Sequence, residues 1–333
     1  MKTNKKLLSL ILSCTLCSSL LIGCNNKSES ETSSIEKVKT IGISQLVAHP
    51  ALDKAREGFI EALSDNGYKD GENIKIDYQN SQNDMPTTQT IASKFVSDKV
   101  DLIYAISTPS AQAAYNSTKD IPILISAVTD PVAAGLLKSI DNPDENLSGT
   151  SDKLSIDNQL ELVKLFVPKA KNIGVIYSTS EVNSKIQVDE LKEIASKKNY
   201  NIIEKGVSSS NELTQAMSSL SKDIDVLYVP TDNLIVSSMP IISKIANENK
   251  IPVIASEEGA VKSGALACKG IDYNKLGYQT GEMAVKVLQG KDINSMPIGF
   301  LNETQVIINE DTLNLLSLEK PINIDALYVK TEN

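Results

Sequence analysis

The residues able to do chemistry in this chain sit in short clusters directly after apolar runs. Thr108 and Ser110 follow the run at 101–106, Thr129-Asp130-Pro131 follows 121–128, and Gln45, His49 and Pro50 follow 39–43. Later, Ser178, Ser180, Glu181, Asn183 and Ser184 come after 172–177, and Thr231-Asp232-Asn233 after 224–230. These are hydroxyls, amides and carboxylates, groups that bind through hydrogen bonds and charge. An activated nucleophile is missing: His49 is the sole histidine, and Cys268 lies in an apolar stretch with no base beside it. There is no GxGxxG turn, P-loop or metal-ligand spacing either. The inventory points to capture of a small molecule without its conversion, and no cofactor is expected. If a helix begins at Thr108 and Ser110, its free N–H groups and dipole favour a carboxylate, although the same residues suit a plain helix cap.

Strands must deliver these clusters to a common edge. Short β-rich runs at 40–45, 74–78, 101–107 and 121–127 each precede a helical pattern or a turn, the alternation of a parallel α/β sheet. Between the first two, Leu52, Ala55, Phe59, Ile60 and Leu63 share one helical face, with Pro50 as a start signal and Gly67 as a stop. The run at 101–106 is almost continuously apolar, as in a strand covered on both faces. The second half then replays the first. KTIGISQ at 39 is echoed by KNIGVIYS at 171, VDLIYAISTPS at 100 by IDVLYVPTDN at 224, and IPILISAVTD at 121 by IPVIASEEGA at 251. Three matched pairs in one order predict two similar α/β lobes, with parallel sheets whose polar strand ends face each other across a cleft. Tyr104, Tyr177 and Tyr228 lie inside apolar strands and read as core rather than cleft.

Compartment is read from the start of the chain. Lys2, Lys5 and Lys6 precede an uncharged apolar run at 7–22 that is too short for a membrane span and ends in Leu21-Ile22-Gly23-Cys24. This layout predicts a lipoprotein signal peptide over 1–23, cleaved before a Cys24 that carries a diacylglyceryl group. The polar stretch NNKSESETSSIEK completes a flexible tether over 24–37. The body is therefore expected outside the cytoplasm, lipid-anchored to the cell membrane and exposed at the cell surface. Cys14 and Cys17 leave with the signal and Cys24 becomes the anchor, so Cys268 has no partner for an intrachain disulfide. The chain has 33 basic and 42 acidic residues, and loss of the three signal lysines leaves a net charge of −12. Nucleic acid is not an expected partner, because phosphate binding needs a basic stripe.

Several stretches resemble the substrate-binding lipoproteins of ABC importers for aromatic amino acids, the tryptophan- and tyrosine-binding group. They are HPALDKAREGF at 49, DLIYAISTPSAQAA at 101, AVTDPVAAGL at 127, SGTSD at 148, GVIYSTSEVNS at 174 and YVPTDN at 228. The resemblance implies a type I periplasmic-binding-protein fold with three hinge crossings. The N-lobe would hold 35–150 plus about 271–299, and the C-lobe 151–270 plus about 300–333. It also implies hinge closure on an aromatic amino acid and delivery by a monomer to an ABC permease in the membrane. Tyrosine is favoured over tryptophan and phenylalanine, because polar candidates for a phenol partner abound. Another amino acid or a small sugar is the alternative ligand, and a surface adhesin the alternative or additional role.

An aromatic amino acid needs donors for its carboxylate, acceptors for its ammonium and walls for its ring. With the resemblance in place, Thr108, Ser110, Asn183 and Ser184 are candidates for the carboxylate, with Ser180 beside them. Asp232 is the first candidate for the ammonium, against a pure capping role, and Asp130 is its competitor, against a turn role. Glu181 is either pocket or solvated rim, and Asn233 belongs to the same loop. Gln45 and His49 occupy the N-lobe loop where a ring or a tyrosine hydroxyl could rest. Asp152, beside Ser151, either faces the cleft or fixes the hinge.

Overall fold

Alternating apolar strands and amphipathic helices build two parallel-dominated sheets in this computed structural model, which describes residues 38–143 and 145–332. The signal-peptide, tether and Cys24 expectations lie outside the described residues. The first sheet grows from β1 (Lys39–Gln45), α1 (Pro50–Asp65), β2 (Ile74–Asn80), α2 (Met85–Ser97), β3 (Leu102–Ile106), α3 (Thr108–Ser117), β4 (Ile123–Ser126) and β5 (Leu147–Ser151). The chain then passes to the second sheet through α4 (Ile156–Phe166), β6 (Asn172–Ser178), α5 (Val182–Lys197), β7 (Asn201–Val207), α6 (Leu213–Leu220) and β8 (Val226–Val229). That sheet continues with α7 (Asn233–Ser237), α8 (Met239–Glu248), β9 (Val253–Ala255), α9 (Glu258–Lys262) and β10 (Ala267–Gly270). A return to the first lobe adds α10 (Tyr273–Leu288) and β11 (Gly299–Phe300). A last passage places β12 (Gln305–Asn309), α11 (Glu310–Leu315) and β13 (Ala326–Val329) in the second.

The six-stranded sheet runs β11-β5-β4-β3-β1-β2 and the seven-stranded sheet β13-β12-β10-β9-β8-β6-β7. Among the described residues only the β10–β12 pair is antiparallel. The chain changes sheet three times, after β5, β10 and β11. The internal repeat reaches atomic detail. In the N-lobe, Asp101 Oδ2 just before β3 accepts the Thr40 amide at 2.8 Å. In the C-lobe, Asp225 Oδ2 just before β8 accepts the Lys171 and Asn172 amides, each at 2.8 Å. Each lobe thus ties the base of its third strand to its first.

Apolar periodicity decides the packing. Leu52, Ala55, Phe59 and Leu63 of α1 are buried against β1 and β3, and Phe59 stacks on Tyr104 with ring centroids 3.9 Å apart. Tyr104 and Tyr228 are core residues, and the half-buried Tyr177 packs against the C-lobe core. The N-lobe core is completed from far along the chain, since Leu276 and Ala284 of α10 join the same cluster as Ile41 and Phe59. The α1–α10 seam is close enough to require glycine. A Cβ on Gly58 would lie 2.0 Å from the Asn274 carbonyl oxygen, and one on Gly277 would lie 1.9 Å from that of Ala55. No helix among the described residues is long and apolar enough to cross a membrane.

Candidate functional site

The carboxyl ends of the strands in both lobes meet around a cavity between the lobes, the setting in which small-molecule sites are usually found. The N-lobe and hinge supply His49, Ala51, Leu52, Ala127, Asp152 and Tyr273. The C-lobe supplies Asn183, Thr231, Asp232, Asn233, Val236 and Glu257. Away from the hinge segments, side-chain hydrogen bonds join the lobes from Thr129 Oγ1 to Thr231 Oγ1 at 3.0 Å and from His49 Nε2 to Asn233 Oδ1 at 3.3 Å.

Asp152 performs both of the tasks left open for it. It follows β5 at the first passage between lobes, where its Oδ2 accepts the hydroxyl of Tyr273 at 2.8 Å. Tyr273 lies at the second passage, so the bond joins two hinge segments. The other oxygen, Oδ1, is buried without a hydrogen-bond partner. Burial pushes the Asp152 carboxyl above the usual range, and the Tyr273 hydrogen bond partly offsets this. A cation seated against Oδ1 would relieve that cost.

The other two cavity acids, Asp232 and Glu257, and Glu181 behind Asn233, already accept backbone amides. Asp232 caps α7 by accepting the Ile235 amide at 2.9 Å, and its second oxygen accepts the Ser178 amide at 2.6 Å. Glu181 does not cap its own helix α5. It reaches across to α7, where Oε2 accepts the Asn233 amide and side chain and Oε1 accepts the Leu234 amide at 3.0 Å. Burial raises both the Glu181 and Asp232 carboxyls, and the neighbouring Asp232 raises Glu181 further. Glu257 caps α9 through the Gly259 and Ala260 amides at 3.0 and 2.6 Å, and burial pushes it to about 7. Both Asp232 oxygens are therefore engaged, one at the α7 cap and one at the end of β6, and the free carboxylate oxygen in the cavity lining is that of Asp152.

Unpaired hydroxyls collect on the N-lobe side. Ser107 precedes α3 at φ 87°, a left-handed geometry that strains a non-glycine residue, and provides no side-chain cap. The hydroxyls of Ser44, Ser107 and Ser110 are buried without partners, and Thr108 is buried beside them. The start of α3 is thus an uncapped helix terminus, and α3 contacts α5 of the other lobe. On the C-lobe side, Asn183 donates from Nδ2 to the Thr231 carbonyl at 2.9 Å while its Oδ1 has no partner, and Ser184 is fully buried next to it.

Three expected residues have other company. Gln45 is tied up by Val47, Asp53 and Arg56, the last donating to its Oε1 at 2.6 Å. Asp130 accepts the Ala133 amide at 2.9 Å and pairs with Lys153 at 2.9 Å, so it builds a turn. Ser180 is exposed on its loop. None of the three lines the cavity, nor do Thr108, Ser110, Glu181 and Ser184; His49, Asp152, Asn183, Asp232 and Asn233 do. Conversely, Tyr273, Glu257 and the apolar walls Ala51, Leu52 and Val236 were not anticipated. Glu257 follows the strand that mirrors β4 in the repeat, a signal that could have flagged it. Nothing local marks Tyr273.

Two lobes closed over a pocket of unpaired polar groups define a ligand-binding protein. The chain belongs to the ABC transporter substrate binding protein family, whose model matches residues 40–329. It is 65% identical over 335 residues to a tyrosine-binding protein of Clostridioides difficile, covering 99% of this chain and 97% of that one. Among solved structures it is similar to the ligand-free, open form of a substrate-binding protein with adhesive properties from Clostridium difficile. That match has 66% identity and a TM-score of 0.69, over 89% of this chain and 100% of that one. It is also similar to an ABC domain in complex with L-Trp from Streptococcus pneumoniae, with 34% identity and a TM-score of 0.85 over 88% and 100% of the two chains. The more similar sequence superposes less well, as a rigid-body difference in lobe disposition requires. With the two cross-lobe hydrogen bonds, this identifies the present conformation as closed.

Proposed function

We propose that this chain is the extracytoplasmic, lipid-anchored capture subunit of an ABC importer, acting as a monomer that closes on an aromatic amino acid, foremost tyrosine, and hands it to a membrane permease without altering it. The observation that carries the reading is an unpaired carboxylate oxygen on Asp152, a residue lining the cavity between the lobes, together with unpaired hydroxyls at the start of α3, at the carboxyl edge of the N-lobe sheet. A zwitterion supplies what these groups lack. Its ammonium meets Asp152 Oδ1, and its carboxylate takes the Ser107 and Ser110 hydroxyls and the dipole of α3. Leu52, Ala51 and Val236 offer apolar walls to a ring. The names of the C. difficile relative and of the tryptophan complex support this ligand class.

Calorimetric titration of the intact protein, stripped of carried-over ligand, with each aromatic amino acid tests the reading. Micromolar affinity, about −8 kcal/mol, is expected for at least one of them; no binding to any of the three refutes it. An adhesive role alongside capture is a second reading, favoured by the printed description of the 66% identical structure. An Asp152→Ala protein that loses the ligand yet keeps cell-surface attachment would separate the two.

A further inference from the structure

The hydrogen bonds around His49 determine which protons its ring carries, and with them what the ring can recognise. Glu181 Oε2 accepts both the backbone amide and the side-chain Nδ2 of Asn233. The Asn233 amide is thereby oriented with its NH2 toward Glu181 and its Oδ1 toward His49. A carbonyl oxygen facing Nε2 at 3.3 Å requires the proton on Nε2. The ring is enclosed, with the residue 8% exposed, and burial lowers its pKa to about 4, so it holds this single proton at neutral pH. Nδ1 is left as a bare lone pair. It is buried without a partner, in a residue that lines the cavity, and although His49 stands at the N-cap of α1 its side chain caps nothing.

Building on the proposed aromatic amino-acid ligand, we infer that His49 Nδ1 is the residue atom that reads the far edge of the ring, accepting a hydrogen bond from a ring-borne donor. The phenolic O–H of tyrosine and the indole N–H of tryptophan are such donors. Phenylalanine presents only C–H and would seal the lone pair away from water unpaired, a cost that selects against it. Glu181 and Asn233 act as positioning residues, since they hold the tautomer that makes Nδ1 an acceptor. Glu181 belongs to the C-lobe and His49 to the N-lobe, so the reader is assembled when the lobes close.

Titration of the intact, untagged protein with tyrosine and phenylalanine should show tyrosine bound at least about tenfold more tightly. In His49→Phe that ratio should fall below about threefold. Because His49 is the only histidine, ¹⁵N-histidine labelling reports on this ring alone and needs no variant. The unprotonated Nδ1 signal should move on adding tyrosine and stay in place on adding phenylalanine. Equal affinities in the unsubstituted protein, an unchanged ratio in His49→Phe, or an Nδ1 signal indifferent to tyrosine would each overturn the inference while leaving aromatic capture standing. If no aromatic amino acid binds, the proposed function and this inference fall together.

Discussion

The two lobes share a plan and differ at the edge that faces the cavity. Asp101 and Asp225 do the same work at the bases of their third strands. At the opposite strand ends the N-lobe and hinge leave polar atoms unpaired: Ser44, Ser107 and Ser110 Oγ, His49 Nδ1 and Asp152 Oδ1. The C-lobe brings two acids, Asp232 and Glu257, to the same cavity with Glu181 behind them, and each already accepts backbone amides, although Asn183 Oδ1 there is also unpaired. Buried polar groups without partners cost free energy, whereas satisfied ones fix geometry. The N-lobe edge is therefore built to be completed by a ligand, and the C-lobe edge is a rigid cover carrying its own hydrogen bonds.

If that contrast is right, Asp152→Ala should weaken ligand binding most, by about 2–5 kcal/mol, read by calorimetry, because it deletes the free acceptor for a buried cation. An unchanged affinity would break the comparison. A pH series on unliganded protein gives the next effect, on the order of 3 kcal/mol at most. Glu257 is raised from 4.5 to about 7. Its contribution is complete below 4.5 and is lost as the pH rises through 7. His49 is lowered from 6.5 to about 4, so its contribution is complete above 6.5 and is lost as the pH falls through 4. The unfolding midpoint should fall on both sides of mild acidity. Glu257→Gln should make the alkaline side shallower, leaving the part that Glu181, raised from 4.5 to about 8, loses over the same range, and keep the acid side; an unaltered profile would show that Glu257 is not held as described.

Asp232→Ala should lower stability by about 1–3 kcal/mol in denaturant unfolding, since it removes the α7 cap and strands the Ser178 amide. A large loss of affinity with no loss of stability would return the ammonium role to Asp232. Smallest should be Ser110→Ala, costing about 1 kcal/mol of affinity in titration without destabilising the unliganded protein, whose hydroxyl there has no partner to lose.

The strand-and-loop plan was legible because apolar runs and turn residues alternate along the chain, and the helix expected at 51–66 is observed as α1, Pro50–Asp65. Part of the cavity lining could be reached the same way, since a loop at a strand's carboxyl end faces the cleft wherever it falls in sequence: His49, Asp152, Asn183, Asp232 and Asn233 are in it. Which acid has a free oxygen was not legible. Asp152 and Asp232 both follow strands, and they are told apart by the amides of Ile235 and Ser178, 3 and 54 residues from Asp232, and by Tyr273, 121 residues after Asp152. Gln45 misled because Asp53 and Arg56, one and two helical turns into the following segment, turn back onto it.

The glycine seam between α1 and α10 has a temporal consequence. The N-lobe is first in the chain, yet its closing helix is encoded roughly 120 residues after β5, beyond most of the C-lobe. Until residues 273–288 have emerged, Phe59 and its neighbours lack the apolar surface that covers them, and the contacts that must form are of the long-range kind that close slowly. For a polypeptide threaded across a membrane by the proposed route, such a delay keeps the leading segment unfolded during passage. The lobe synthesised first stays unfinished until most of the other has been made.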